Sequence, residues 1–176
     1  MKRFMTSLML LSVIFISAQT ASAQKMSKTF SIGFGLEGGI PTSAGYSGIG
    51  GLTLRGSYHV GPGFVTLTTG ALLWVPKSLV SGTSLKTSMQ IPVKAGYKFI
   101  FKNYLFAMAE VGYNSFRTYG IDPVTGNMIA FSNAGVVFAP AVGVQFKSLE
   151  LGLRYETLTV TAGSASMLGI RLGFNF

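Results

Sequence analysis

The chain has 176 residues, enough for one domain, with 14 lysines and arginines against 5 acidic residues and no cysteine. The missing cysteine excludes a disulfide framework, a lipid-anchored cysteine and a thiol nucleophile, and after residue 23 no run of about 18 apolar residues could cross a bilayer as a helix. Yet 48% of the residues are hydrophobic and only 11% are charged, against about 25% charged in soluble domains, which points to a closed β-barrel, the other structure that satisfies its own backbone in lipid.

The N-terminus reads as a secretory signal peptide over residues 1–23. Met1-Lys2-Arg3 is a positive start, Leu8 to Ile16 is apolar apart from Ser12, and Ala21-Ser22-Ala23 is a small-x-small cleavage site. The mature domain then covers 24–176. Removing Lys2 and Arg3 leaves 12 basic against 5 acidic residues, a net charge of +7. Such a balance raises nucleic acid as a partner, but no basic stripe with interleaved aromatics is present, and nucleic acid is not expected. The lack of cysteine suits an oxidising periplasm.

Eight strands follow, each alternating apolar and polar residues with period two. The first is Lys28 to Gly39, with Phe30, Ile32, Phe34 and Leu36 opposite Ser31, Gly33, Gly35 and Glu37. After a loop from Ile40 to Ser47 comes Gly48 to Tyr58, with Leu52, Leu54 and Tyr58 opposite Thr53, Arg55 and Ser57. His59 to Gly63 is a tight turn built on Pro62 and its flanking glycines. The third strand is Phe64 to Val75, followed by a loop from Pro76 to Gly82. The fourth, Leu85 to Tyr97, sets Met89, Ile91, Val93, Ala95 and Tyr97 against Ser88, Gln90, Pro92, Lys94 and Gly96.

A turn at Phe101-Lys102-Asn103 leads to Tyr104 to Asn114, where Phe106, Met108, Glu110 and Gly112 share a face. Ser115 to Asn133 is expected to be the longest connection, with Asp122-Pro123-Val124-Thr125-Gly126 as its turn. Gly135 to Phe146, Leu149 to Thr157 and Ser166 to Phe176 complete the set, with a last loop at Thr159 to Ala165. Pro92 and Pro140 fall inside strands, where the missing N–H predicts a bulge or a strand start. Short turns alternate with longer loops, the asymmetry of a membrane barrel with short periplasmic turns. The fold class is therefore all-β: an eight-stranded antiparallel up-and-down transmembrane β-barrel.

Charge segregates by face. Glu37, Arg55, Lys94, Glu110, Glu150, Arg154, Glu156 and Arg171 all lie opposite the apolar faces, as they must if those faces meet lipid, where a lysine or arginine at midplane costs about 2–4 kcal/mol. These eight are the expected barrel interior. Eight strands enclose a space that side chains just fill, so the interior should be plugged by ion pairs. Lys25, Lys28, Lys77, Lys86, Lys98, Lys102, Arg117 and Lys147 fall at strand ends and loops, where lipid headgroups are met. Aromatics sort toward two girdles: Phe30, Tyr58, Phe64, Tyr97, Phe99, Tyr104, Phe146, Phe174 and Phe176 at one end, and Tyr46, Trp74, Tyr113, Phe116, Tyr119 and Phe131 at the other.

Phe34-Gly35-Leu36-Glu37-Gly38-Gly39, Ile91-Pro92-Val93-Lys94-Ala95-Gly96-Tyr97, Ala109-Glu110-Val111-Gly112 and the Phe176 terminus resemble the outer-membrane β-barrel domains often labelled porin family, common in Bacteroidetes and similar in size to OmpX and OmpW. The resemblance spans the mature chain. It implies an outer-membrane barrel with no catalytic residues, and it makes Phe174 and Phe176 an assembly signal for the barrel-assembly machinery.

No chemistry emerges beyond this. His59, the only histidine, has no serine or aspartate beside it to form a catalytic set. Gly33-Phe34-Gly35-Leu36-Glu37-Gly38 matches G-x-G-x-x-G but opens no helix. The acids are too dispersed for a metal site, and no cofactor is expected. The reading is a non-catalytic, monomeric outer-membrane barrel in contact with outer-membrane lipids, structural or binding an extracellular ligand at loop 115–133. The alternative is a narrow OmpW-like channel for small solutes. Antiparallel register places Arg171 opposite Glu150 if the last loop centres between Val160 and Thr161, and Lys94 opposite Glu110 if the earlier turn centres on Lys102.

Overall fold

The computed structural model describes residues 29–42, 45–77, 86–102, 104–121, 128–160 and 163–176. The expected signal peptide, Lys25, Lys28 and Asp122 lie outside them. Eight strands run in sequence: β1 (Phe30–Pro41), β2 (Tyr46–Val60), β3 (Gly63–Pro76), β4 (Ser88–Phe101), β5 (Leu105–Ile121), β6 (Met128–Phe146), β7 (Leu149–Val160) and β8 (Gly163–Asn175). Each pairs antiparallel with the next, and β8 returns to β1 to close the barrel, with Phe174 opposite Phe34 and Arg171 opposite Glu37. Closure leaves no sheet edge within the wall, the condition for a strand-built structure in lipid.

Along every strand burial alternates with the apolar pattern, and the apolar residues point outward. Phe34, Leu36, Leu52, Leu67, Val93, Val111, Val142 and Ile170 are all exposed on the outer wall, while Glu37, Arg55, Lys94 and Glu150 are buried within it. Arg117, near one rim, is the only charged side chain on the outward face among the described strand residues.

The two ends differ. β1 begins and β8 ends at the one we call the turn end. There Gly61, at φ +59°, and Pro62 join β2 to β3, with Val60 paired to Gly63. Lys102 and Lys147 also adopt left-handed backbone in turns here, at φ 52° and 51°. At the opposite loop end the strands overrun the sequence-based boundaries. Ser115 to Ile121 and Met128 to Asn133 belong to β5 and β6, so the connection shrinks from the expected 115–133 to 122–127. β7 likewise reaches Val160 and β8 starts at Gly163.

The two prolines produce neither a bulge nor a strand start. Pro92 pairs with Asn114 and Pro140 with Ala109, both on β5. On their other sides the ladders lapse for two residues, between Thr69–Val93 and Leu72–Gln90 and between Phe138–Thr157 and Ala141–Arg154, then resume in the same register. The missing N–H faces the lapse, and the pairs on either side hold the strands in place.

Candidate functional site in the barrel interior

The inward faces of all eight strands build one polar network. Its centre is Glu150 on β7. One carboxylate oxygen accepts from Arg55 Nη1 of β2 at 2.6 Å and from Arg171 Nη1 of β8 at 2.7 Å. The other accepts from Lys98 Nζ of β4, which also donates to Gln145 of β6. Arg55 Nε donates to Thr68 Oγ1 at 3.0 Å, and Thr68 donates to Glu110 of β5 at 2.5 Å.

Toward the loop end the network continues through a second group. Arg154 holds the Glu37 carboxylate with both of its terminal nitrogens, and Arg154 Nη2 also lies 3.3 Å from Glu156. Lys94 Nζ donates to Glu156 at 2.7 Å. Gln90 Nε2 donates to the other Glu156 oxygen at 2.6 Å and its Oε1 accepts from Trp74 Nε1 at 2.5 Å. Glu37 ties the groups together, 3.6 Å from Arg171 Nε and bonded to Thr53 at 2.8 Å. Five cations and four carboxylates are thus engaged, none more than 7% exposed. Burial of unpaired charge is prohibitive, so each of these groups depends on the others.

Apolar side chains seal both ends of the polar layer. At the loop end Trp74 meets Tyr46 and Phe116 edge to face, with ring centroids 5.2 and 5.3 Å apart, over Ile49, Leu72, Leu158 and Met167. At the turn end Phe106 lies on Met108 and Ala141, with Lys98 Nζ 4.5 Å from its ring centroid. Glycines make room for the large groups. A Cβ on Gly35 would stand 2.5 Å from Arg171 Nε, and one on Gly143 would stand 2.7 Å from the Phe106 ring. A cavity of about 10 Å³ remains beside Glu37, Leu72, Arg154 and Met167, room for about one water molecule. Among the described residues no cluster of histidines and carboxylates is placed to hold a metal ion.

No family model and no curated protein matches the sequence. Solved structures do match. The N-terminal β-barrel domain of Pseudomonas aeruginosa OprF superposes with a TM-score of 0.64 at 14% identity, over 83% of this chain and 97% of that one. The fold is that of the small outer-membrane barrels. Ail, the attachment invasion locus protein of Yersinia pestis, superposes at 0.59 with 14% identity, over 84% and 96%. Neisserial surface protein A superposes at 0.55 with 13% identity, over 85% and 98%.

The barrel brings Glu37, Arg55, Lys94, Glu110, Glu150, Arg154, Glu156 and Arg171 into its interior, but in a different register from the sequence-based one. Arg171 stands opposite Gly152, and Glu150 opposite Gly173. Only residues 161 and 162 separate β7 from β8, which moves the pairing by two positions. Lys94 similarly stands opposite Gly112, because Phe101 pairs with Leu105 and centres the turn on position 103. A two-residue shift keeps every side chain on its face. Arg171 therefore reaches Glu150 diagonally, while Lys94 takes Glu156 across the lumen and stands 4.0 Å from Glu110.

Three further corrections concern residues assigned to the surface. Lys98 is 4% exposed and inside, because β4 runs on to Phe101 and Lys98 shares the face of Lys94. Trp74 and Phe116 are buried in the lumen instead of forming an outer girdle, and Tyr46 packs on them. Phe131 shares the inward parity of Val137 on β6 and lies above the rim. Phe30, Tyr58, Tyr97, Phe99, Tyr104, Phe146 and Phe176 do stay on the surface at the turn end. Phe176 packs against Phe34 and Phe174, and its N–H donates to Ile32 O at 2.8 Å. The uncharged members Thr53, Thr68, Gln90 and Gln145 carry no charge signal in the sequence; their inward parity is the one cue to them.

Proposed function

We propose that this chain is a non-catalytic outer-membrane barrel with a plugged lumen, a rigid platform that presents its loop end to the extracellular side. The observation that carries the reading is the network of ion pairs and hydrogen bonds that joins all eight strands and is capped by the Trp74 and Phe106 clusters. An outer wall that, among the described strand residues, carries no charge but Arg117 near one rim, and the shared fold with outer-membrane barrels, support the membrane location. In this reading residues 1–23 direct export, Phe174 and Phe176 mark the chain for barrel-assembly machinery, and the resemblance of Phe34 to Gly39 and Ile91 to Tyr97 to porin-family barrels concerns the fold and carries no pore with it. The turn end is periplasmic, where Lys102 and Lys147 meet headgroups, and the barrel is monomeric.

Conductance across a planar bilayer tests the plug. The refolded parent is expected to give no discrete current steps. Regular ohmic steps would put a narrow OmpW-like solute channel in its place. Location is tested by fractionation: the protein should sediment with the outer membrane and run faster on a gel when unboiled.

A further inference from the structure

Above the rim of the loop end, β5 and β6 run on past their neighbours. The last β4–β5 pair is Met89–Arg117 and the last β6–β7 pair is Gly135–Val160. Pairing between β5 and β6 continues through Thr118–Phe131, Tyr119–Ala130 and Gly120–Ile129 to Ile121–Met128. The result is a two-stranded arm. No described strand covers the outer edge of β6 from Met128 to Ala134, a reach of about 20 Å. In an antiparallel ladder alternate residues turn N–H and C=O away from their partner, so along this edge alternate donors and acceptors have no strand partner among the described residues.

The two edges of the arm are built differently. On the β5 side Lys86 lies with Nζ 5.0 Å from the ring centroid of Tyr119, and Arg117 is exposed. Lysines of this kind are the usual guard against strand pairing. On the β6 side the sequence is Met128-Ile129-Ala130-Phe131-Ser132-Asn133-Ala134, with no charge and no proline. Phe131 is 49% exposed and Ile129 37%. A two-stranded ribbon is marginal alone and gains order from a third strand.

Charge limits what that strand can be. Among the described residues, every charged side chain exposed at this rim is a cation: Lys77, Lys86 and Arg117. By the same residues, a second copy of the chain would bring only cations and no carboxylate to this rim. We propose that the β6 edge, residues 128–134, docks an extended segment of another polypeptide. That segment adds as a third strand, sets apolar side chains beside Ile129 and Phe131, and carries a carboxylate on the Arg117 side. Main-chain bonds supply the affinity in this mode, and alternate side chains supply the choice. The inference rests on the surface-presenting platform proposed above, and names the kind of partner it presents to.

The test uses the full chain folded in lipid nanodiscs. The probe is an acetylated heptapeptide of alternating threonine and valine with one central glutamate, added at about 1 mM, the affinity range of a short single contact. Amide exchange at alternate residues within 128–134 should slow by about tenfold or more, the mark of added ladder bonds. The same peptide N-methylated at alternate positions should have no effect. The double variant Ala130→Lys/Ser132→Lys should lower peptide capture by about tenfold or more, whereas Thr118→Lys on the guarded edge should not. A lysine-centred probe should bind several-fold more weakly, with the gap closing at high salt.

Unchanged exchange with the peptide present, or equal binding of the methylated peptide, overturns the proposal. So does slow exchange at 128–134 without peptide in samples where Ser132→Cys, the only thiol in the chain, cross-links two copies; the edge then serves self-association. Conductance separates this inference from the platform reading. A conducting barrel that still captures the peptide retires the plug and keeps the edge, while a silent barrel that captures nothing does the reverse.

Discussion

The lumen and the β5–β6 arm answer the same question in opposite ways. In the lumen nine charged side chains are buried, and each carboxylate stands within reach of at least two cations. In the arm, residues 128–134 carry no charge and one side of the β6 ladder has no described neighbour. The wall closes on inward charges that pair with one another, while Asn114 and single atoms of Arg55, Glu110, Arg154 and Arg171 keep no hydrogen-bond partner among the described residues. The arm can bind because no described strand pairs with the outer edge of its β6. The comparison implies that substitutions inside should act on stability and those on the arm on recognition.

The largest expected effect is at Glu150, where one carboxylate holds Arg55, Lys98 and Arg171. Glu150→Ala leaves three buried cations sharing no centre, and removal of one partner from a buried pair costs about 3–5 kcal/mol. Denaturant unfolding in lipid should show that loss, while Lys77→Ala, at the exposed rim, should stay within about 0.5 kcal/mol of the parent. An unfolding midpoint for Glu150→Ala equal to the parent's would mean water already solvates the network, and the plug would be the wrong account. A wholly apolar replacement of the network could still be stable.

Next is the lid. Trp74→Ala removes the ring that Tyr46 and Phe116 pack against and the donor to Gln90. Large aromatic truncations in cores cost about 3 kcal/mol or more. Bilayer recordings on this variant sharpen the comparison further. If the polar layer alone closes the lumen, Trp74→Ala remains silent despite its lower stability. Current steps in the variant and none in the parent would assign closure to the lid instead.

A third, smaller effect separates glycines by side of the wall. Gly35 faces inward, and a methyl there would press on an Arg171 guanidinium already pinned by Glu150 and Thr53. Overpacking of this kind costs about 1–3 kcal/mol. Gly38 faces outward, and a methyl added there would meet nothing within 4 Å, so Gly38→Ala should be neutral or slightly stabilising. Equal effects at the two positions, read from unfolding midpoints, would show that the inner packing is looser than the distances indicate.

Parity was legible in the sequence and register was not, for a physical reason. Alternation is enforced residue by residue, because a charge on the wrong face meets lipid; that is why Glu37 and Arg171 can be placed inside without a structure. Register depends on where each connection turns, and a shift of two costs nothing in parity. The loop-end extensions of β5 and β6 were illegible because Ala130, Ser132 and Ala134 meet water and keep no apolar alternation. Trp74 and Lys98 carried a usable signal. Both are even-numbered on strands whose odd residues face out, and treating them as strand-end residues overrode that parity. Gln90 and Gln145, uncharged and ordinary in composition, become visible as network members only when the lumen places Glu156 and Lys98 beside them.

The smallest expected effect is the most discriminating for the arm. Ser132 is exposed on the outward side of β6, opposite Arg117 on β5, with no described strand beyond it. Ser132→Lys adds a second cation beside Arg117 but disturbs no buried contact, so the folded barrel should lose no more than about 0.5 kcal/mol. Like charges directly across a strand pair repel, at a cost of roughly 0.2–1 kcal/mol, and here water and salt screen most of it. Unfolding midpoint and unboiled gel mobility should therefore match the parent. If Ser132→Lys instead destabilises as strongly as Gly35→Ala, the β6 edge is packed against something within the folded chain. The arm would then be part of the barrel's own structure, and the division between a charge-paired interior and an open edge would fail at this residue.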